Sequence, residues 1–153
     1  MNDTQGHESS QHDSGAKLFD VTIVTPQGTR VEYRVRHLRA PGAEGDFGVL
    51  PGHVPFMTAL RIGALVLETE QGKKVLATSG GFAEVLGDKV TLLAETIEAP
   101  DQIDVVRVEA AKKRALDRLA ARTVEVVDVA RANAALARAI NRERVATLNR
   151  DDH

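Results

Sequence analysis

Ala64-Leu65-Val66-Leu67-Glu68-Thr69 runs into Gln71-Gly72, Lys74-Val75-Leu76-Ala77-Thr78 into Gly80-Gly81, and Phe82-Ala83-Glu84-Val85-Leu86 into Gly87-Asp88, ahead of Lys89-Val90-Thr91-Leu92-Leu93-Ala94. Short apolar runs rich in β-branched residues and punctuated by glycine predict strands joined by tight turns, the pattern of an antiparallel sandwich or barrel. In this setting Gly80-Gly81 reads as a tight turn rather than a phosphate cradle. The pattern extends upstream. Phe19 to Thr25 alternates, Pro26-Gln27-Gly28 breaks it, and Thr29 to Leu38 resumes with Val31, Tyr33 and Val35 on one side. Residues 17–100 are therefore expected to form an all-β domain.

Pro100-Asp101 ends this regime, and no glycine or proline follows. Apolar or small residues then recur at helical spacing, at Val105, Val108, Ala111, Ala115 and Leu119 and again at Val129, Ala132, Leu136 and Ile140. Two helices over residues 101–150, broken between Arg122 and Asp128 with Asp128 as an N-cap, form an antiparallel hairpin. Its stripes hold much Ala and few Leu, so the helices approach closely but grip weakly. Such a hairpin is either a bistable element or one packed permanently on the sandwich. Residues 1–16 have almost nothing to bury and are expected to be a flexible tail.

Composition narrows the function. Aromatics are 3% of 153 residues and cysteine is absent, so there is no thiolate metal site, disulfide or cysteine nucleophile. No apolar run is long enough to span a bilayer and no signal peptide is visible, which predicts a soluble protein. The net charge of −2 is unevenly spread: residues 1–103 hold 9 Lys/Arg against 14 Asp/Glu, residues 104–150 hold 11 against 6. A basic helical module therefore follows a mildly acidic β module. Tyr33 and four phenylalanines are the only aromatics, and none is interleaved with the basic stretch, which disfavours nucleic acid as a partner.

Catalytic patterns are missing. A phosphate-binding loop at Gly72-Lys73 requires glycine where Leu67 stands, and the histidines (His7, His12, His37, His53, His153) show no metal-ligand spacing. Ser79 lacks the glycine pattern of a nucleophile elbow. The stretch from Gly45 to Phe56, with three glycines and three prolines or histidines interleaved, reads instead as a stiff loop presenting Asp46 and His53 beside apolar groups: a docking surface, or an elaborate connection.

Two motifs carry a resemblance to a family. Gly45-Asp46-Phe47-Gly48-Val49-Leu50-Pro51-Gly52-His53-Val54-Pro55 resembles the glycine-proline loop of F-type ATP synthase epsilon subunits of the bacterial type, and Ser79-Gly80-Gly81-Phe82-Ala83-Glu84-Val85 resembles their second signature. Followed by an Ala-rich helical pair, the likeness spans Lys17 to Arg150. It implies a sandwich of about ten strands and a two-helix hairpin in a non-catalytic central-stalk subunit. The implied partners are the gamma subunit, the c-subunit ring and the alpha/beta catalytic hexamer, with the membrane reached only through the complex, at the cytoplasmic face of the bacterial inner membrane. By the same resemblance Asp46 and His53 face the c-ring. Arg131, Arg138, Arg142 and Arg144 suit contacts that restrain ATP hydrolysis, although a solvated helix face explains them as well.

Some epsilon subunits bind ATP as a regulatory ligand rather than a required cofactor. Their Ile/Leu-Asp-x-x-Arg-Ala pattern is met by Ile103-Asp104-Val105-Val106-Arg107, with Val108 in place of alanine. Arg114 follows at the family's spacing, Arg138 and Arg142 match the paired second-helix arginines, and Glu98 is suited to accept from an adenine amino group. Arginines four apart share a helix face, and their forks suit phosphate oxygens. Two other functions fit less of the chain: a free-standing nucleotide sensor using these arginines, and an RNA-binding module using the basic helices.

Overall fold

The computed structural model describes Gly15, Lys17 to Ala121 and Val126 to Leu148. The tail expected over 1–16 lies outside these residues apart from Gly15, and most of the expected interhelical break, 122–125, lies outside them too. Nine strands come first: β1 (Phe19–Val24), β2 (Arg30–Gly42), β3 (Gly45–Val49), β4 (His53–Leu60), β5 (Gly63–Thr69), β6 (Gly72–Thr78), β7 (Gly81–Gly87), β8 (Lys89–Ala94) and β9 (Ile97–Glu98). A 3-10 turn (Pro100–Gln102) then leads to α1 (Val105–Ala120) and α2 (Val126–Leu148).

The strands are linked in the order β1-β8-β7-β4-β2-β5-β6-β9, with β3 added on β2 and β1 closing onto β2. The long strand β2 makes this possible. It pairs with β1 from Arg30 to Val35 and with β5 from Val35 to Arg39, shifting register between Val35 and His37. The irregularity turns the chain from one layer into the other. Between the layers lie Phe19, Val21, Ile23, Val35, Leu38, Leu65, Leu67, Val85, Val90 and Leu92, each nearly or fully buried. Alternation places them there: Val21 and Ile23 point inward while Asp20 points out, as the period of two dictates. Each large aliphatic side chain so buried contributes on the order of 1.5–3 kcal/mol.

Three expectations need correction. The pairing is not wholly antiparallel, because β1 runs parallel to β8 between Asp20 and Val24. The stretch Gly45–Phe56 is mostly strand: β3 and β4 flank a short turn at 50–52, since Asp46 to Val49 pair with Leu38 to Pro41. Ser79-Gly80 does not close a hairpin either. β6 pairs with β5 and β9, and β7 with β4 and β8, so the glycines carry a crossover between layers. Gly81 has φ +138°, and a Cβ there would collide with the Leu93 carbonyl, so only glycine permits the approach of β7 to β8.

The helices pair as expected, with their details revised. α1 is capped by Asp104, whose Oδ1 accepts from the Arg107 N–H at 3.2 Å. Asp128 lies inside the first turn of α2, which already begins at Val126. Val108 and Ala115 of α1 are buried, but on α2 the buried side chains are Ala132, Ala139, Val145 and Ala146, while Val129 and Ile140 are exposed. A second, smaller apolar cluster of Ala77, Ile103, Val108, Ala139, Val145 and Ala146 joins the hairpin to the sandwich. Half of it is alanine, so the helices sit on far less apolar surface than the strands enclose.

Candidate functional site

The expected nucleotide residues converge. Glu98 from β9, Asp104, Arg107 and Arg114 from the start and middle of α1, and Arg138 and Arg142 from α2 line one groove of about 640 Å³. Its floor is small, with Ala110, Ala111, Ala135 and Ala139 between the arginine rungs. Ile103 is buried beneath this groove in the apolar cluster rather than lining it. Val108, the departure from the family pattern, does line it and is itself 6% exposed, so its added bulk is directed into the hairpin packing.

Helical spacing creates the arrangement. Arg107 and Arg114 are two turns apart on α1, and Arg138 and Arg142 are one turn apart on α2, so both pairs point into the same interhelical channel. Among the described residues, Arg107, Arg114 and Arg138 have no carboxylate partner, whereas Arg142 is held by Glu98. Asp104 is occupied in capping. Three guanidinium groups thus face an open groove of a volume that suits a small organic anion.

Asp46 and His53 are not brought together. Asp46, at the beginning of β3, pairs with Arg61 and lies 3.7 Å from Arg39. These residues line a second groove of about 380 Å³ against Ala137, Ile140, Asn141 and Arg144 of α2. His53 stands beyond the turn at 50–52, where its Nδ1 lies 2.7 Å from the Val54 carbonyl oxygen and its ring leans on Phe56. That turn is fastened to the β7–β8 turn: Asp88 accepts from Gly52 N–H at 3.0 Å and pairs with Lys17 at 3.0 Å. The Lys17 ammonium, then the Gly52 N–H, hold the Asp88 carboxyl below its usual range. Leu50, Val54 and Leu86 remain exposed around it.

Of the remaining arginines, Arg131 and Arg144 are exposed on α2, with Arg144 on the side of the second groove. The inter-strand use of Asp46 with Arg39 and Arg61 was not readable in advance, because it depends on the β2–β3 register, Pro41 opposite Asp46. Among the described residues no cluster of His and carboxylates is arranged to hold a metal, and no helix is long and apolar enough to cross a membrane.

Comparison with known proteins agrees with this architecture. Residues 18–100 match the family described as ATP synthase, Delta/Epsilon chain, beta-sandwich domain, and residues 101–147 match its long alpha-helix domain. The chain is 51% identical over 112 residues to the ATP synthase epsilon chain of Desulforapulum autotrophicum, covering 72% of this chain and 83% of that one. It is 47% identical over 104 residues to the epsilon chain of Koribacter versatilis, covering 68% and 73%. A chain in the structure of the Euglena gracilis mitochondrial ATP synthase, containing OSCP, F1 and the c-ring, superposes with a TM-score of 0.72 at 23% identity over 92% of this chain and 89% of that one. The last likeness speaks for the fold; the two family models cover sandwich and helices alike, the bacterial relatives share about half their residues with it over some two thirds of its length, and the chain belongs to the ATP synthase delta/epsilon chain family, among the epsilon chains.

Proposed function

We propose that the protein is a non-catalytic rotor subunit of a bacterial F-type ATP synthase: its sandwich grips the gamma subunit and the c-ring, and its hairpin restrains ATP hydrolysis by the alpha/beta hexamer. In this reading it works at the cytoplasmic face of the inner membrane and touches the membrane only through the complex. The observation that carries the proposal is the contrast between the two parts. A sandwich with a large aliphatic core is a stiff foot, while the hairpin rests on a small, alanine-rich cluster and can change position at little cost. The turn at 50–52 with His53 beyond it is the surface assigned to the ring; Asp46, expected there too, lies apart from it at the far end of β3. Arg131, Arg138, Arg142 and Arg144 are assigned to acidic segments of the hexamer when the hairpin extends. ATP hydrolysis by the assembled complex tests this, with the full chain and with a chain ending at Ile103. Truncation is expected to raise hydrolysis several-fold; equal rates would remove the restraining role and leave coupling intact.

The groove between the helices favours a second element, ATP as a regulatory ligand. Arg107, Arg114 and Arg138 are suited to the phosphates. Calorimetry with the isolated full-length chain tests it, and no heat at millimolar ATP would defeat it.

A further inference from the structure

We infer that Asn141 is the latch that keeps the hairpin seated on the sandwich. Among the described residues, only two side chains of α2 make polar contacts with the β domain, and they are consecutive: Asn141 and Arg142. Asn141 Nδ2 donates to the Gly63 carbonyl at 2.8 Å and reaches the Thr78 carbonyl at 3.4 Å. Gly63 and Thr78 are register partners at the open end of the β5–β6 ladder, so one amide group bridges two strands. Both residues are buried. Gly63 is fixed in place, since a Cβ there would strike the Pro41 ring at 2.6 Å.

The energetic asymmetry makes this a latch and not merely a contact. With α2 seated, Asn141 gives the Gly63 and Thr78 carbonyls a part-buried donor from the helix. With α2 lifted, water replaces it. Removing the amide therefore weakens only the seated state, because these hydrogen bonds exist only there and water takes their place once the helix lifts. Apolar packing cannot compensate, as the joining cluster is half alanine. Asn141 does not line the arginine groove, so the latch operates without nucleotide.

The chain contains no cysteine, so two introduced cysteines can be spin-labelled without background. Labels at the exposed positions Lys73 on β6 and Asn133 on α2, in the full-length chain without nucleotide, report the distance between hairpin and sandwich by pulsed electron resonance. Asn141→Leu, which keeps the side-chain size and removes the donor, is expected to raise the lifted-to-seated ratio about threefold to tenfold, as loss of a part-buried hydrogen-bond donor does. The sandwich should keep its own melting temperature. If Asn141→Leu does not fold, Asn141→Ser, too short to reach either carbonyl, takes its place with the same expectation. An unchanged distance distribution, or a shift only in step with unfolding of the sandwich, would overturn the assignment.

Discussion

Arg142 directs both its Nε and its Nη2 at a single oxygen of Glu98, each at 2.7 Å, and so ties α2 to the two-residue strand β9. The pair is about a quarter to a third exposed, which makes it stronger than a surface ion pair but not free of solvent screening. It also decides how the arginine groove is shared. Arg142 is already neutralised, leaving Arg107, Arg114 and Arg138 for any anion.

Replacing Glu98 by alanine leaves the Arg142 charge half-buried and unpaired. The expected loss is about 1 kcal/mol in hairpin docking, discounted for exposure, with little effect on the sandwich. Helical circular dichroism followed through thermal unfolding should show the helices melting several degrees before the strands. Simultaneous melting at the original temperature would show that the pair contributes nothing.

Each of Arg107→Ala, Arg114→Ala and Arg138→Ala is expected to weaken ATP binding roughly tenfold, the usual cost of one charge-assisted hydrogen bond. AMP should bind more weakly than ATP to the unaltered chain, since fewer phosphate oxygens reach the rungs. Titration calorimetry checks both. If AMP and ATP bind alike, the arginines are not phosphate ligands.

Gly81→Ala tests the crossover. A methyl group at φ +138° is strained, and the Leu93 carbonyl occupies the space it needs. The cost should be roughly 2–4 kcal/mol, the sum of backbone strain and displacement of β8. Denaturant unfolding measures it, and Gly28→Ala, at φ +90° but with open space around it, separates strain from collision by costing distinctly less.

What was legible in the sequence was periodicity and punctuation. Phe19, Val21 and Ile23 announce an inward face by simple alternation, and Pro100 marks the change of regime, because those signals are local. Topology was not local. Nothing in Asp20 to Val24 shows that its second neighbour is the distant strand β8, or that the Gly80-Gly81 pair crosses between layers. The stripe on α2 was half right: Ala132 is buried as expected, but Val129 and Ile140 are exposed, and Ala139, Val145 and Ala146, which the helical spacing did not single out, fill the space beside α1 and β6. The arginine groove was foreseen through family likeness, whereas the role of Asn141 needed the coordinates of two backbone carbonyls.

Acid should loosen the helical pair before it unfolds the sandwich. Lys112 of α1 meets Glu143 of α2 at 2.9 Å, and both are about one-third exposed. The Lys112 ammonium holds the Glu143 carboxyl below its usual 4.5, while Glu143 raises Lys112 above its usual 10.5. A depressed carboxyl stabilises the folded pair above its unfolded value, and that contribution fades as pH falls through the lower folded value. A raised ammonium contributes fully below 10.5 and loses its contribution as pH climbs through the higher folded value. The pair should therefore support the hairpin evenly from about pH 5 to 10. Below pH 4.5 the helices of the unaltered chain should lose stability faster than those of Glu143→Gln, which has no proton to gain at that position. Melting curves of both proteins between pH 3 and 7 make the comparison, and parallel pH profiles would assign the acid response to other carboxylates.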